Sequence, residues 1–340
     1  MEVGNLAELD FKLDTFHSSR QARPLHIFSL LPKINIEAMP NVAKDAGVNA
    51  IINELGKTVY DLTLVSARKH RHAYGFLIDH KGVWNMLIRT VESPTVAGNI
   101  ANRWLDRLYP AICRSYIRPS DLLDILDALS KIEGSKLELR SYILRAHNSP
   151  ETVKNWKKDK PYSRKDIEQD IQSSGKLLEA IHFLFHVEHT YFHVRMQIDG
   201  HFVFYDGGEY CFTNFQRLVL SKFNEVALMT RKFFSHRERR IVDGEAKISR
   251  IILEPQRKLE KKDLVCLSSH LGSKYSTAIL HSGNPWLLVN ILDREDGSSF
   301  DIHGYPSKIQ VVPFNKSSPE SLMRLIYSIY ELFPLSRIKN

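Results

Sequence analysis

The segment EAIHFLFHVEHTYFHVRMQI, residues 179–198, constrains the fold more than any other part of the chain. It spaces His182, His186, His189 and His193 by four, three and four residues, which on a helix would form one row resembling a metal site. The residues between them argue otherwise. With Glu188-His189 as a two-residue turn, residue 186 lies opposite 191, 184 opposite 193 and 182 opposite 195. One face of that hairpin carries Ile181, Phe183, Phe185, Val187, Thr190, Phe192, Val194, Met196 and Ile198. The other carries His182, Leu184, His186, Tyr191, His193, Arg195 and Gln197. A sheet with one buried face requires this division. The aromatic and β-branched run 183–187 is also a poor helix former.

Three of the histidines thus share the wetter sheet face, and His189 falls in the turn. A zinc ion needs three or four ligands converging at about 2 Å. His186 and His193 are only diagonal neighbours, with His182 farther along, so no metal and no cofactor is expected. Asp199-Gly200 signals a second hairpin. Extending the pattern through it puts Arg195 opposite Phe204 and Gln197 opposite Phe202. The face holding His182, His186, His193 and Arg195 is then either covered by another element or an aromatic and basic platform of the kind that stacks bases.

Period-two alternation continues through HFVFYD and EYCFTN. Further strands are expected at 248–253, 277–281, 286–293, 299–303 and 308–312, with helices at 165–174, 215–234 and 319–332. LHIFSLLP, residues 25–32, reads as a short strand or a buried turn. The stretch GVNAIINELGKTVYDLTLVSARKH spaces Val48, Ile51, Ile52, Leu55, Val59, Leu62 and Val65 by three and four, which predicts a helix. Ser93-Pro94 and Arg118-Pro119-Ser120-Asp121 open further helices, and one more is expected over 136–146. The expected fold class is α+β. An arm over 1–24 precedes a helical N-terminal domain over 25–147. A basic linker over 148–165 leads to a mainly antiparallel β domain with a closing C-terminal helix over 166–340.

The net charge is +8, and most of the excess sits in residues 229–262, with eleven Lys or Arg against five Asp or Glu. Arg237, Arg239 and Arg240 cluster there, and Lys157 and Lys158 lie in the linker. Arg103, Arg107, Arg114 and Arg118 would form one stripe on a helix continuing through Pro110. These groups are the candidate phosphate contacts to a nucleic acid. Asp243, Glu245 and Lys247 in VDGEAK match the carboxylates and lysine of metal-dependent nucleases. That motif, or the face of His182, His186 and His193, would serve a hydrolase. The P-loop, GxGxxG, GxSxG and HExxH patterns are absent. Cys113, Cys211 and Cys266 are far apart, which disfavours a disulfide scaffold or a cysteine-rich zinc site. The acidic start MEVGNLAELDFKLD has no apolar run and reads as no signal peptide, and no window reaches the roughly 18 apolar residues of a membrane span. A soluble intracellular protein is expected, nuclear in a eukaryote and cytoplasmic in a prokaryote.

Residues 162–255 carry, in order, a short helix at 166–174, YFHVRMQI with Arg195 central, HFVFYDGGEYCFTN, a helix, and RIILEP. This order resembles the centromere protein N family. The resemblance implies a non-enzymatic adaptor, with a helical N-terminal domain contacting nucleosomal DNA and histone and a β-rich C-terminal half pairing with a sister subunit. The expected function is a non-enzymatic adaptor subunit binding nucleic acid or nucleoprotein, with a protein partner. A metal-dependent nuclease or other hydrolase and a pure protein-assembly subunit are the alternatives.

Overall fold

The computed structural model describes residues 24–45, 47–56, 58–66, 71–89, 105, 107–108, 111–145, 152–155, 163–174, 177–207, 211–235, 240–242, 245–247, 250–282, 287–314, 317–333 and 335–339. Residues 1–143, 153–164 and 178–228 make up one unit; 144–152, 165–177 and 229–340 make up the second. Among the described residues, no helix is long and apolar enough to cross a membrane.

The helical N-terminal domain expected from the sequence, which the family resemblance also implied, is instead built of antiparallel strands. These are β1 (Leu25–Pro32), β2 (Val48–Gly56), β3 (Val59–Ser66), β4 (Arg71–His80) and β5 (Val83–Arg89), interrupted by a short helix α1 (Met39–Asp45). The three-and-four spacing over 48–65 arises from two strands read through their turn as one element. Within β2, Val48 and Ala50 are buried while Ile51 is 54% exposed. That alternation is the strand period, and on the expected helix Ile51 would have been core. Residues 136–146 are likewise not helical: they fall in β7 (Ser135–Arg145). The helix α2 (Pro119–Ser130) does form where its proline signal places it. Arg118 grips Asp121 with two hydrogen bonds of 2.9 and 2.7 Å at its start.

Three further strands complete the histidine-bearing part of this sheet: β9 (Leu177–Val187), β10 (Thr190–Gln197) and β11 (His201–Gly207). With β6 (Ile112–Arg114) and β8 (Thr152–Asn155) they give an eleven-stranded sheet of order β2-β3-β4-β5-β1-β11-β10-β9-β7-β8, β6 lying against β1. The central strand β1 is buried on both faces from Leu25 to Leu31, because its sequence is apolar on both. The β9–β10 hairpin has the register expected: Tyr191 opposite His186, His193 opposite Leu184, Arg195 opposite His182.

The next connection departs from expectation. Arg195 faces Val203 and Met196 faces Phe202, with a bulge between His193 and Val194. Phe202 and Phe204 therefore join the apolar face rather than the histidine face. The connection is three residues, Ile198-Asp199-Gly200, not two, and a slip of one residue exchanges the faces of a strand. Gly200 has a φ of 75°, and a Cβ there would lie 2.9 Å from the Ser115 carbonyl oxygen and 3.0 Å from that of Ser29. Glycine answers both demands.

The apolar face is covered by α4 (Cys211–Phe215), a π-helical turn (Gln216–Leu220) and α5 (Ser221–Ser235). Phe215 meets the rings of Phe192, Phe202 and Phe204 edge-on at 5.7, 5.7 and 5.5 Å. A buried polar chain pins the same layer. Ser29 Oγ donates to Asn224 Oδ1 at 2.7 Å, and Asn224 Nδ2 donates to Asn85 Oδ1 at 3.2 Å. Such a network fixes β1, β5 and α5 in register, because a misplaced strand would strand buried polar groups.

In the second unit, β14 (Ile251–Pro255), β15 (Ser276–Ser282), β16 (Leu287–Leu292), β17 (Ser299–Tyr305), β18 (Lys308–Pro313) and β19 (Leu335–Lys339) form a sheet of order β15-β16-β17-β18-β14-β19. The helices α6 (Lys261–Lys274) and α7 (Pro319–Leu332) belong to this unit, and α3 (Arg164–Ser174) precedes β9 in the chain. Ser318 caps α7 by accepting from the Ser321 amide at 3.1 Å. A two-stranded ribbon pairs β12 (Arg240–Val242) with β13 (Glu245–Lys247).

Candidate functional site

The histidine face of β9, β10 and β11 gathers rings and positive charge. His182 and His193 are diagonal neighbours across β9 and β10. Their rings stack at 4.5 Å with 13° between planes. Tyr205 of β11 closes against both, at 4.9 and 5.2 Å. One step along the hairpin, His186 stacks on Tyr191 at 5.7 Å, and Tyr191 is exposed. The strand period puts each of these rings on the face opposite Phe183, Phe185 and Phe192, so the two ring groups lie on one surface.

Cations frame this surface. Arg195 stands opposite His182 in register. Arg140 of β7 is held by Glu138 at 2.9 Å, and Glu138 is shared with Lys136 at 2.7 Å. Burial, reinforced by His193, Arg195 and Arg140, pushes the His182 pKa down to about 4. Burial and Arg140 also lower that of His193, against the pull of Asp206, whose carboxylate sits 3.5 Å from His193 Nδ1. Both rings are therefore neutral at pH 7, and a neutral imidazole offers one N–H and one lone pair. Ser141 Oγ reaches His182 Nδ1 at 3.5 Å. The far nitrogens, His182 Nε2 and His193 Nε2, are buried without a hydrogen-bond partner among the described residues, as is Arg195 Nε.

Toward the centre of the sheet the row continues inward. His201 pairs with Phe28 in register and stacks on its ring at 4.5 Å. Its Nε2 lies 3.0 Å from His26 Nδ1, both rings being buried. Burial, then the neighbouring His26, holds the His201 pKa well below its usual range. Two imidazoles at this distance share one hydrogen bond only if at least one is neutral.

These lowered values fix a pH dependence. A histidine neutral in the fold takes its proton preferentially in the unfolded chain. Stability is therefore complete above 6.5, the ordinary histidine value, and is lost as pH falls from there toward about 4 for His182. The urea midpoint should drop between about pH 7 and about pH 5, and a His182→Asn variant should show a shallower drop. Identical pH slopes in the two proteins would remove His182 as a source.

The sequence-derived candidates are placed unevenly. His182, His186, His193 and Arg195 share one surface. Arg114 is not on a helical stripe: it lies in β6, bonded to Asp199 at 2.9 Å and placed over the Phe28 ring at 5.9 Å. Arg107 is exposed. Arg103, Lys157, Lys158, Arg237, Arg239 and Asp243 lie outside the described residues. Arg240, Glu245 and Lys247 fall in the β12–β13 ribbon, where Arg240 pairs with Lys247 and Val242 with Glu245. Among the described residues, no three His, Cys, Asp or Glu side chains converge as a metal ion would need.

Sequence reasoning missed Arg140, Glu138 and Tyr205. Arg140 and Glu138 were hidden inside an expected helix, although KLELRSYIL alternates as a strand does. Tyr205 was hidden by the one-residue register difference at the Ile198–Gly200 connection. Comparison of the chain with known protein families and with curated proteins finds no match.

Proposed function

We propose that this chain is a non-enzymatic nucleic-acid-binding protein, an adaptor that takes its ligand on the β9–β10–β11 face. The observation that carries this reading is the joining of stacked rings to guanidinium groups on one sheet surface: His182, His193 and Tyr205, then His186 and Tyr191, flanked by Arg140 and Arg195. Bases stack on aromatic faces whatever their sequence, at about 1–3 kcal/mol per base. Guanidinium groups hold the phosphates between them and make the affinity fall with salt. Neutral imidazoles suit this surface, since a ring without charge packs against Tyr205 and the neighbouring rings without repelling Arg140 and Arg195. The basic segment with Arg237, Arg239 and Arg240, together with Lys157 and Lys158, supplies further phosphate contacts in this reading.

The test is fluorescence anisotropy with labelled single-stranded and duplex oligonucleotides at low and rising salt. Binding that weakens steeply with salt is expected. Arg140→Ala and Tyr191→Ala, both at the surface, should each weaken single-strand binding by about tenfold, the lower part of the stacking range. An absence of binding at low salt, or binding indifferent to salt, overturns the reading.

A further inference from the structure

The charges on the histidine face do not balance, and the imbalance falls on one residue. Arg140 is held by Glu138, and Arg114, which acts on His201, is held by Asp199. Arg195 differs from both. Among the described residues no carboxylate pairs with it, and its Nε is buried without a hydrogen-bond partner. The residue as a whole is half-buried. A guanidinium does not shed its proton to escape such a setting. A partly desolvated charge without a counter-charge is costly. The cost is offset when an anion arrives, and the planar fork of arginine matches two oxygens of a phosphate.

The sheet also limits how a strand can lie on Arg195. Tyr191, at the hairpin end of β10, is exposed. His193 and Arg195 follow it at two-residue steps on the same face, each half-buried. Toward the centre of the sheet this face closes. Arg195 stands opposite Val203 of β11, and Val203 opposite His26 of β1. Val203, His26 and His201 are all buried. The surface is thus open at the hairpin end and ends against covered sheet beside Arg195. A strand running inward from Tyr191 meets that cover at Arg195, whereas a strand that terminates there fits without turning.

We propose that Arg195 anchors the terminal phosphate of a nucleic-acid strand whose bases extend toward Tyr191. The proposal rests on the nucleic-acid reading above and narrows its substrate class to strands with a phosphorylated end. A terminal phosphate monoester carries about −1.5 to −2 charges at pH 7, against about one for an internal phosphate. A guanidinium without a counter-charge therefore favours the end over the interior of a strand. Arg140, which acts on His182 and His193 as well, adds to that preference.

Three labelled strands of one sequence test it by fluorescence anisotropy: one with hydroxyls at both ends, one with a 5′-phosphate and one with a 3′-phosphate. One phosphorylated strand should bind about tenfold tighter than the hydroxyl strand, the lower end for a hydrogen bond between charged groups. Which of the two gains shows the polarity of the bound strand. Arg195→Gln should bring that ratio close to one. Arg195→Lys, which keeps the charge without the fork, should retain part of it; circular dichroism checks that both variants fold. Tyr191→Ala should weaken all three strands alike and leave the ratio unchanged. Equal binding of the three strands at low salt overturns the proposal and leaves the nucleic-acid reading in place. A ratio that survives both Arg195 variants overturns it too. If none of the strands binds, both the proposal and that reading fall.

Discussion

Alanine at Gly75 is expected to cost about 3 kcal/mol or more, the upper end of overpacking losses, and to leave little folded protein at physiological temperature. Gly75 lies in β4, opposite Ile88 of β5. A Cβ built there would sit 1.7 Å from the Leu87 carbonyl oxygen and 2.8 Å from its carbonyl carbon. The obstacle is backbone, so no side chain can swing aside to admit the methyl. Relief requires β4 and β5 to move apart, which breaks ladder hydrogen bonds in the middle of a sheet whose core includes Leu77, Trp84, Met86 and Ile88. Urea denaturation of the variant beside wild type measures the loss. A loss below about 1 kcal/mol would contradict the close approach of these two strands.

The second large effect concerns what covers the apolar face. Phe215→Ala is expected to destabilise by about 3–5 kcal/mol, the usual range for emptying a buried phenylalanine site. Phe215 is fully buried, and its ring is the common neighbour of Phe192, Phe202 and Phe204. Those three come from β10 and β11, so one side chain on α4 closes both strands. The surrounding rings are rigid and cannot collapse far into the space left behind, which places the cost high in that range. Phe215→Leu, which keeps most of the volume, should lose much less. Equal losses for alanine and leucine would show that volume is not what Phe215 contributes.

Several elements were legible from local sequence because their cause is local. The β9–β10 register follows from a two-residue turn at Glu188-His189 and a strict alternation on both sides of it. α2 and α7 were legible from a proline in the first turn of each, and at α7 also from the Ser318 cap. The elements misread share a different cause. Over 48–65 and 136–146 the apolar residues satisfy helical spacing by accident, since two short strands or one irregular strand of β-branched and leucine residues meet both templates. What separates the templates is burial: Ile51 is exposed and Ala50 buried, and burial is set by a neighbour the segment does not contain.

The same distinction runs through the candidate site. Alternation alone put His182, His186, His193 and Arg195 on one sheet face and dissolved the apparent helical row of histidines. It had no means of adding Tyr205, which depends on a three-residue connection and a bulge, or Arg140, which arrives on β7. Nor could it pair His26 with His201, which are 175 residues apart in the chain. Periodicity within a segment reports which side chains share a face, because the backbone geometry fixing it spans only two to four residues. Which strands stand beside one another, and so which rings and charges meet on that face, is fixed by burial and hydrogen bonding between distant segments. The sequence by itself determined the faces of the histidine hairpin; the tertiary structure alone decided their neighbours.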